Sequence, residues 1–274
     1  MKSTEEDGGG LDRFQDRVLI TVPVRRNKKL EALIEAVNAD DDLYGLWTAA
    51  NVTAIDRLGM TDHGPVHVKI VMNIAVKMLR LLIEASVQPS VVRDYGLETE
   101  DAEVIVALAA LLHDVGMSIH RMDHESFSLF IADRKLRELL PAVYEGPVAT
   151  VVRSEVLHAI IGHRSGGSPL TLEAGIVRIA DALDMAQGRS RIPFEAGSTS
   201  IHSVSAAAID RVSIERGEAK PVRIVIDMTN SAGVFQLDQL FRSKLQGSGI
   251  EGFVEVKGKL DGETEKSLVR EYSL

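Results

Sequence analysis

From Asp42 to about residue 190 the sequence reads almost without interruption as helix. Such a pattern confines the chain to helices packed on helices. The stretch PVHVKIVMNIAVKMLRLLIEA, Pro65 to Ala85, carries apolar residues on more than one face, which predicts a helix central to a bundle. Gly64-Pro65 is placed to start it, with the proline in the first turn where a missing N–H costs nothing. Pro89 and Tyr95-Gly96 break the chain. Thr99 is then expected to cap a second helix, EDAEVIVALAALLHDVG, with acidic residues in its first turn and Gly116 at its end. Further helices are expected from His124 to Arg137, Val148 to His163 and Thr171 to Ala186. Arg164 to Pro169 forms a glycine-rich loop.

The flanks read differently. Residues 1–14, acidic and glycine-rich, read as a disordered tail without the apolar core of a signal peptide. Residues 15–49 read as an extension: a strand over 16–24 (DRVLITVPV), a helix from Lys28 to Val37, and a turn at Asp40-Asp41-Asp42. After residue 200, VRIVIDM (222–228) alternates like a strand. Asp238 to Leu245 reads as a helix, GFVEVKGKL (252–260) as a second strand and SLVREYSL as a third. The expected fold is thus mainly α: a helical bundle over 50–195 with a small α+β unit over 205–274. That unit reads as a structural or oligomerisation element, a homodimer included, ahead of a regulatory module.

Composition narrows the chemistry. There is no cysteine, so thiolate sites and disulfides are excluded, and a metal must be held by His, Asp or Glu. The formal net charge of −9 and the 4% aromatic content argue against a long nucleic acid as partner. No apolar run reaches the roughly 18 residues needed to span a membrane, which gives a cytoplasmic expectation.

The most apolar helix ends in a His-Asp pair, His113-Asp114, followed within a few turns by His120, Asp123 and His124. Burying ionisable groups without partners is costly, and a metal ion is the common solution. Partners are available. His67 lies in the first turn of the first long helix, and Asp181 stands among apolar neighbours in RIADALD. His124 opens the third helix and His163 ends the fourth. His158 is an alternative to His163. On a regular helix the two point about 140° apart, so both should not bind one ion, and His163 is favoured. His63, just outside the first helix, reads as facing substrate or supporting a ligand. His120 reads as surface or pocket lining, and His202 as surface. Asp184, three residues after Asp181, either supports a ligating histidine or is an exposed charge. Lys69 and Arg80 read as solvated.

The order His67, His113-Asp114, Asp181, together with the segments HVKIVMNIA, ALLHDVG, HAIIGHRSGG and RIADALD, resembles the HD superfamily of metal-dependent phosphohydrolases over roughly residues 50–195. The resemblance implies a divalent ion on His67, His113, Asp114 and Asp181. Relatives with extra histidines hold two ions, among them HD-GYP cyclic-dinucleotide phosphodiesterases and HD-type diadenosine tetraphosphate hydrolases. His124 and His163 match those extra positions, with Asp114 bridging. One or two ions are therefore expected, manganese or iron first, with magnesium, cobalt, zinc or nickel also compatible. The implied reaction is attack of metal-activated hydroxide on phosphorus in a nucleotide or other small phosphoester. The alternatives are a cyclic nucleotide or dinucleotide phosphodiesterase, a non-catalytic nucleotide sensor, and, more remotely, an oxygenase. Many dinuclear relatives carry a lysine three residues after the HD aspartate, where this chain has Met117, and the GYP sequence is absent. A cation for the phosphate is therefore expected from Arg121, Arg164, Arg189 or Arg191. Arg164 and Arg189 are the catalytic candidates beside Asp114, while Arg121 and Arg191, with His63, are the candidates for binding substrate.

Overall fold

The computed structural model of the chain describes residues 17–164, 166–185, 208–260 and 271–273. The acidic tail, Arg189, Arg191 and His202 lie outside the described residues. The helices are α1 (Lys28–Ala39), α2 (Asp41–Asn51, continued by a π-helical turn Val52–Arg57), α3 (Pro65–Glu84), α4 (Ser90–Tyr95), α5 (Thr99–Leu112), α6 (His124–Leu139), α7 (Gly146–Gly162) and α8 (Leu172–Leu183). A 3-10 turn, Val115–Ser118, links α5 to α6. Four strands follow, β1 (Ile209–Arg216), β2 (Val222–Met228), β3 (Val254–Leu260) and β4 (Glu271–Ser273). Between β2 and β3 run α9 (Gly233–Phe235), a π-helical stretch Gln236–Phe241 and α10 (Arg242–Leu245). No helix among the described residues is long and apolar enough to cross a membrane.

The bundle is built around α3 and α5. Every residue from Val104 to Leu112 is buried, so α5 is covered on all sides, as its Ala/Leu-rich sequence requires. It packs on α3 and α7, and α8 closes against α3, α5 and α7. Trp47 of α2 is buried beside the end of α5, where its Nε1–H donates to Leu111 O at 2.9 Å. The sheet has the order β1-β2-β3-β4. β1 and β2 form an antiparallel pair, β2 and β3 run parallel through the α9–α10 crossover, and β4 returns antiparallel. Side chains of β1, β2 and β3 join the same continuous apolar core as the bundle helices.

Several expectations are corrected. Residues 17–24 form no strand. The side-chain amide of Asn38 takes the place of a strand partner, receiving Ile20 N–H at 2.9 Å and donating to Ile20 O at 2.8 Å. Asp40 to Asp42 form a helix start rather than a turn, because Asp40 caps α2 by accepting Leu43 N–H at 2.9 Å. The cap of α5 is Glu98, in a reciprocal capping box with Asp101, and Thr99 is the first helical residue. That helix stops at Leu112, before the His-Asp pair, and Gly116 lies in the 3-10 turn beyond it. Arg80 is buried, not solvated, and its guanidinium forks onto both carboxylate oxygens of Glu103 at 2.6 and 2.8 Å. β1 had no counterpart among the expected strands. Its sequence, IDRVSIER, is half charged and its burial is irregular.

Candidate metal centre

Four elements deliver the histidines. Gly64 and Pro65 start α3, and Asp62 Oδ1 accepts the N–H groups of Gly64 and His67, both at 3.1 Å. Asn51 anchors this entry, donating to Asp62 Oδ2 at 2.7 Å and accepting His63 N–H at 3.0 Å. His67 is thereby fixed one turn into α3. His113 is the C-cap of α5, directly after its last helical residue, Leu112. Asp114 leaves the helix at φ −107°, ψ 5°, a sparsely populated region in which many active-site residues sit. His124 begins α6, His163 follows the last residue of α7, and Asp181 lies in the last turn of α8.

These residues converge. Asp114 Oδ2 lies 3.4 Å from His67 Nε2 and 3.3 Å from His113 Nε2. The other oxygen, Oδ1, lies 3.1 Å from His124 Nε2 and 3.7 Å from His163 Nε2. Asp181 Oδ1 is 3.6 Å from the Nε2 atoms of both His67 and His113. Three overlapping groups have the spacing a metal ion needs: His67–His113–Asp114, His113–His163–Asp181 and Asp114–His124–His163. His63 stands at the edge, its Nε2 4.0 Å from Asp114 Oδ2.

The outer nitrogens decide what the inner ones can do. His67 Nδ1 is 2.7 Å from Asp184 Oδ2, so Asp184 supports a cluster histidine and is buried. His113 Nδ1 meets Ala110 O at 2.8 Å, His163 Nδ1 meets Ile160 O, and His63 Nδ1 meets Thr61 O at 2.7 Å. An oxygen acceptor at Nδ1 holds the proton there and leaves the Nε2 lone pair for the cluster. His124 Nδ1 has Arg121 O at 3.0 Å, Glu125 Oε2 at 3.2 Å and Arg121 Nη1 at 2.8 Å around it.

Electrostatically the cluster calls for positive charge. Burial works to raise the Asp114 carboxyl, but His113, His124 and His67 hold it well below the usual carboxylate range. Asp181 is held low in the same way, against its burial, by His113 and Lys244. Burial would lower the pKa of His113, yet Asp114 and Asp181 push it up to about 10. For His163 burial dominates and, with the charge on His113, drives it down to about 3.

Of the arginines named from the sequence, Arg121 contacts His124. Arg164 is exposed, with Nη2 3.3 Å from Asp123 Oδ1. His158 takes no place in the cluster, since its Nε2 accepts Leu170 N–H at 3.0 Å and so ties down the loop. His120 is exposed and accepts Met122 N–H at 3.0 Å. Met117 is fully buried. Lys244 of α10 was not foreseen, and its Nζ lies 3.6 Å from Asp181 Oδ2. Nothing in the spacing of RSKL marks it. Arg178, an arginine inside the apolar face of α8, was the visible signal that something polar must dock there.

The HD domain profile matches residues 66–186, the segment that carries His67, His113-Asp114, His124, His163 and Asp181. The chain belongs to the HD superfamily. The HD chain is also similar to the uncharacterized protein MJ1020 of Methanocaldococcus jannaschii, 42% identical over 225 residues that make up 82% of this chain and 86% of the relative. No solved structure matches it significantly. HD domains bind divalent metals and belong to a superfamily of metal-dependent phosphohydrolases, and this one has the His/Asp groups to do so.

Proposed function

We propose that this chain is a phosphohydrolase with a two-ion centre. In this reading His67, His113, Asp114 and Asp181 would hold one ion, and His124 and His163, with Asp114 again, would hold the other. The observation that carries it is the split of Asp114: its two oxygens face two different histidine pairs. An all-N/O donor set of this kind suits manganese or iron ahead of softer metals.

The donors fit such ions. A divalent pair here would supply Lewis acidity toward a phosphoryl group and a water acidified to near neutral pH. The chain does the positioning. Asp184 holds His67 in the productive tautomer, and the carbonyls of Ala110 and Ile160 do the same for His113 and His163. The four histidines and Asp114 are buried and Asp181 is partly so, which strengthens their electrostatic contacts. The charge that His113 carries when its proton is held by Asp114 and Asp181 marks where an ion would displace a proton. His63, with Nε2 facing the cluster, is suited to contact the reacting group of the substrate, and Arg121 beside His124 is suited to an anionic one.

The substrate class we infer is a nucleotide or another small phosphoester, with the net charge of −9 disfavouring long nucleic acid. Turnover of a panel of nucleotides, cyclic dinucleotides and simple phosphomonoesters with added manganese tests this. Hydrolysis that is lost in Asp114→Ala supports an enzyme. Binding without turnover across the panel would favour a nucleotide sensor instead.

A further inference from the structure

The C-terminal unit is joined to α8 at three successive turns. At Gly175 a Cβ would lie 2.3 Å from the carbonyl oxygen of Ser248, so only glycine lets the turn after α10 approach so closely. One turn on, buried Arg178 donates Nε–H to Lys244 O at 3.0 Å. Its Nη1 donates to Arg164 O at 2.7 Å and Gly167 O at 3.0 Å. One turn further, Asp181 Oδ2 faces Lys244 Nζ at 3.6 Å. The same Nζ donates to the backbone oxygen of His163 at 2.8 Å. Lys244 is therefore fixed at both its backbone and its tip, and the tip touches both halves of the cluster.

Charge makes this placement informative. With two divalent ions, two carboxylates and neutral histidines, the centre already has an excess of positive charge. An ammonium beside it works against holding the ions. The placement becomes favourable when an anion joins the site. An ammonium has three N–H donors. Among the described residues one is taken by His163 O and one faces Asp181 Oδ2, and the side chain remains 24% exposed. Lys244 thus has a donor to spare, an opening to solvent and a position against the cluster.

We propose that Lys244 binds the anionic phosphoryl group of the substrate, so that the C-terminal unit completes the catalytic site as well as packing on the bundle. This rests on the two-ion reading. It assigns to residue 244 the phosphate cation that Met117 cannot supply.

The test uses the 274-residue chain loaded with manganese, as wild type, Lys244→Met and Lys244→Arg. Three quantities are read: metal content by elemental analysis, melting temperature, and affinity for inorganic phosphate by calorimetry. Lys244→Met is expected to keep the wild-type metal content and melting temperature and to bind phosphate at least about tenfold more weakly, the loss of one charge-assisted hydrogen bond. Lys244→Arg, which keeps the charge, should recover most of the affinity. Unchanged phosphate affinity in Lys244→Met would overturn the proposal. So would loss of metal from that variant, which would make Lys244 a positioning residue for Asp181. If wild type itself held no metal, the two-ion reading would fail separately, and the phosphate affinities of the same proteins would still decide the role of Lys244.

Discussion

Removing the Asp184 carboxylate should weaken one ion and spare the other. Asp184 Oδ2 is 2.7 Å from His67 Nδ1 in a buried setting, so the contact is a charge-assisted hydrogen bond. Such bonds contribute about 1.5–3 kcal/mol, and at about 1.4 kcal/mol per decade that corresponds to roughly 10–150-fold in ion affinity. The usual cost of deleting a carboxylate behind a ligating histidine, about 10–100-fold, falls in the same range. Asp184→Ala is therefore expected to bind its weaker manganese equivalent about 10–100-fold less tightly than wild type does. The equivalent assigned to His124 and His163 should keep its affinity, because the Asp184 carboxylate supports His67, which is assigned to the other ion. Asp184→Asn, whose amide oxygen can still accept from Nδ1, should lose less. Competition against a chromogenic chelator reads both equivalents in one titration. Two wild-type affinities in Asp184→Ala would refute the role given to Asp184, and an equal loss in both would refute the division of ligands between the two ions.

Other consequences can be checked with simple assays. A Cβ at position 116 would lie 2.0 Å from His124 O and 2.5 Å from Ser128 N, both backbone atoms of α6. Gly116→Ala should therefore lower stability by about 1–3 kcal/mol in a urea titration and reduce metal content by displacing His124. An unaltered midpoint would contradict the close approach. Buried Glu173 accepts Val91 N–H through Oε1 at 3.0 Å, while Oε2 has no hydrogen-bond partner among the described residues. Burial raises its pKa above the ordinary carboxylate value, with opposing contributions from backbone hydrogen bonds. The folded state then holds this proton more tightly than the unfolded chain does, so its contribution is favourable in acid and is lost as pH rises through the raised pKa. Glu173→Gln should raise the melting temperature at pH 8 more than at pH 4, and the reverse order would show that the carboxylate is satisfied when ionised.

The sequence carried the site further than it carried the fold around it. His113-Asp114 and Asp181 drew notice as ionisable residues in apolar helical stretches, where burial without a partner is costly, while His124 and His163 were singled out by the resemblance to HD relatives with extra histidines; the structure brings these side chains together with His67. Pro65 marks a helix start by local chemistry and stands where expected, at N1 of α3, whereas Thr171, read as the first residue of its helix, is the N-cap of α8. What was not legible depends on contacts distant in sequence. DRVLITVPV has the composition of a strand, but a strand needs a partner edge, and the Asn38 side chain supplied the hydrogen bonds instead. Gly116 looked like a helix terminator, whereas its lack of a side chain serves the approach of α6. Lys244 lies 63 residues from Asp181 in sequence, and its partnership depends on how α10 docks on Gly175 and Arg178. Whether Asp184 was exposed or supporting a ligand could be settled only by where the first turn of α3 lay.

The central claim is that Asp114 joins two ion sites. Elemental analysis of the chain purified without chelator and reconstituted with manganese, beside His124→Ala and Asp114→Ala, addresses it directly. About two ions per chain are expected in wild type, about one in His124→Ala and fewer than one in Asp114→Ala. Full occupancy in Asp114→Ala, or a wild-type chain that retains no metal after reconstitution, would contradict it.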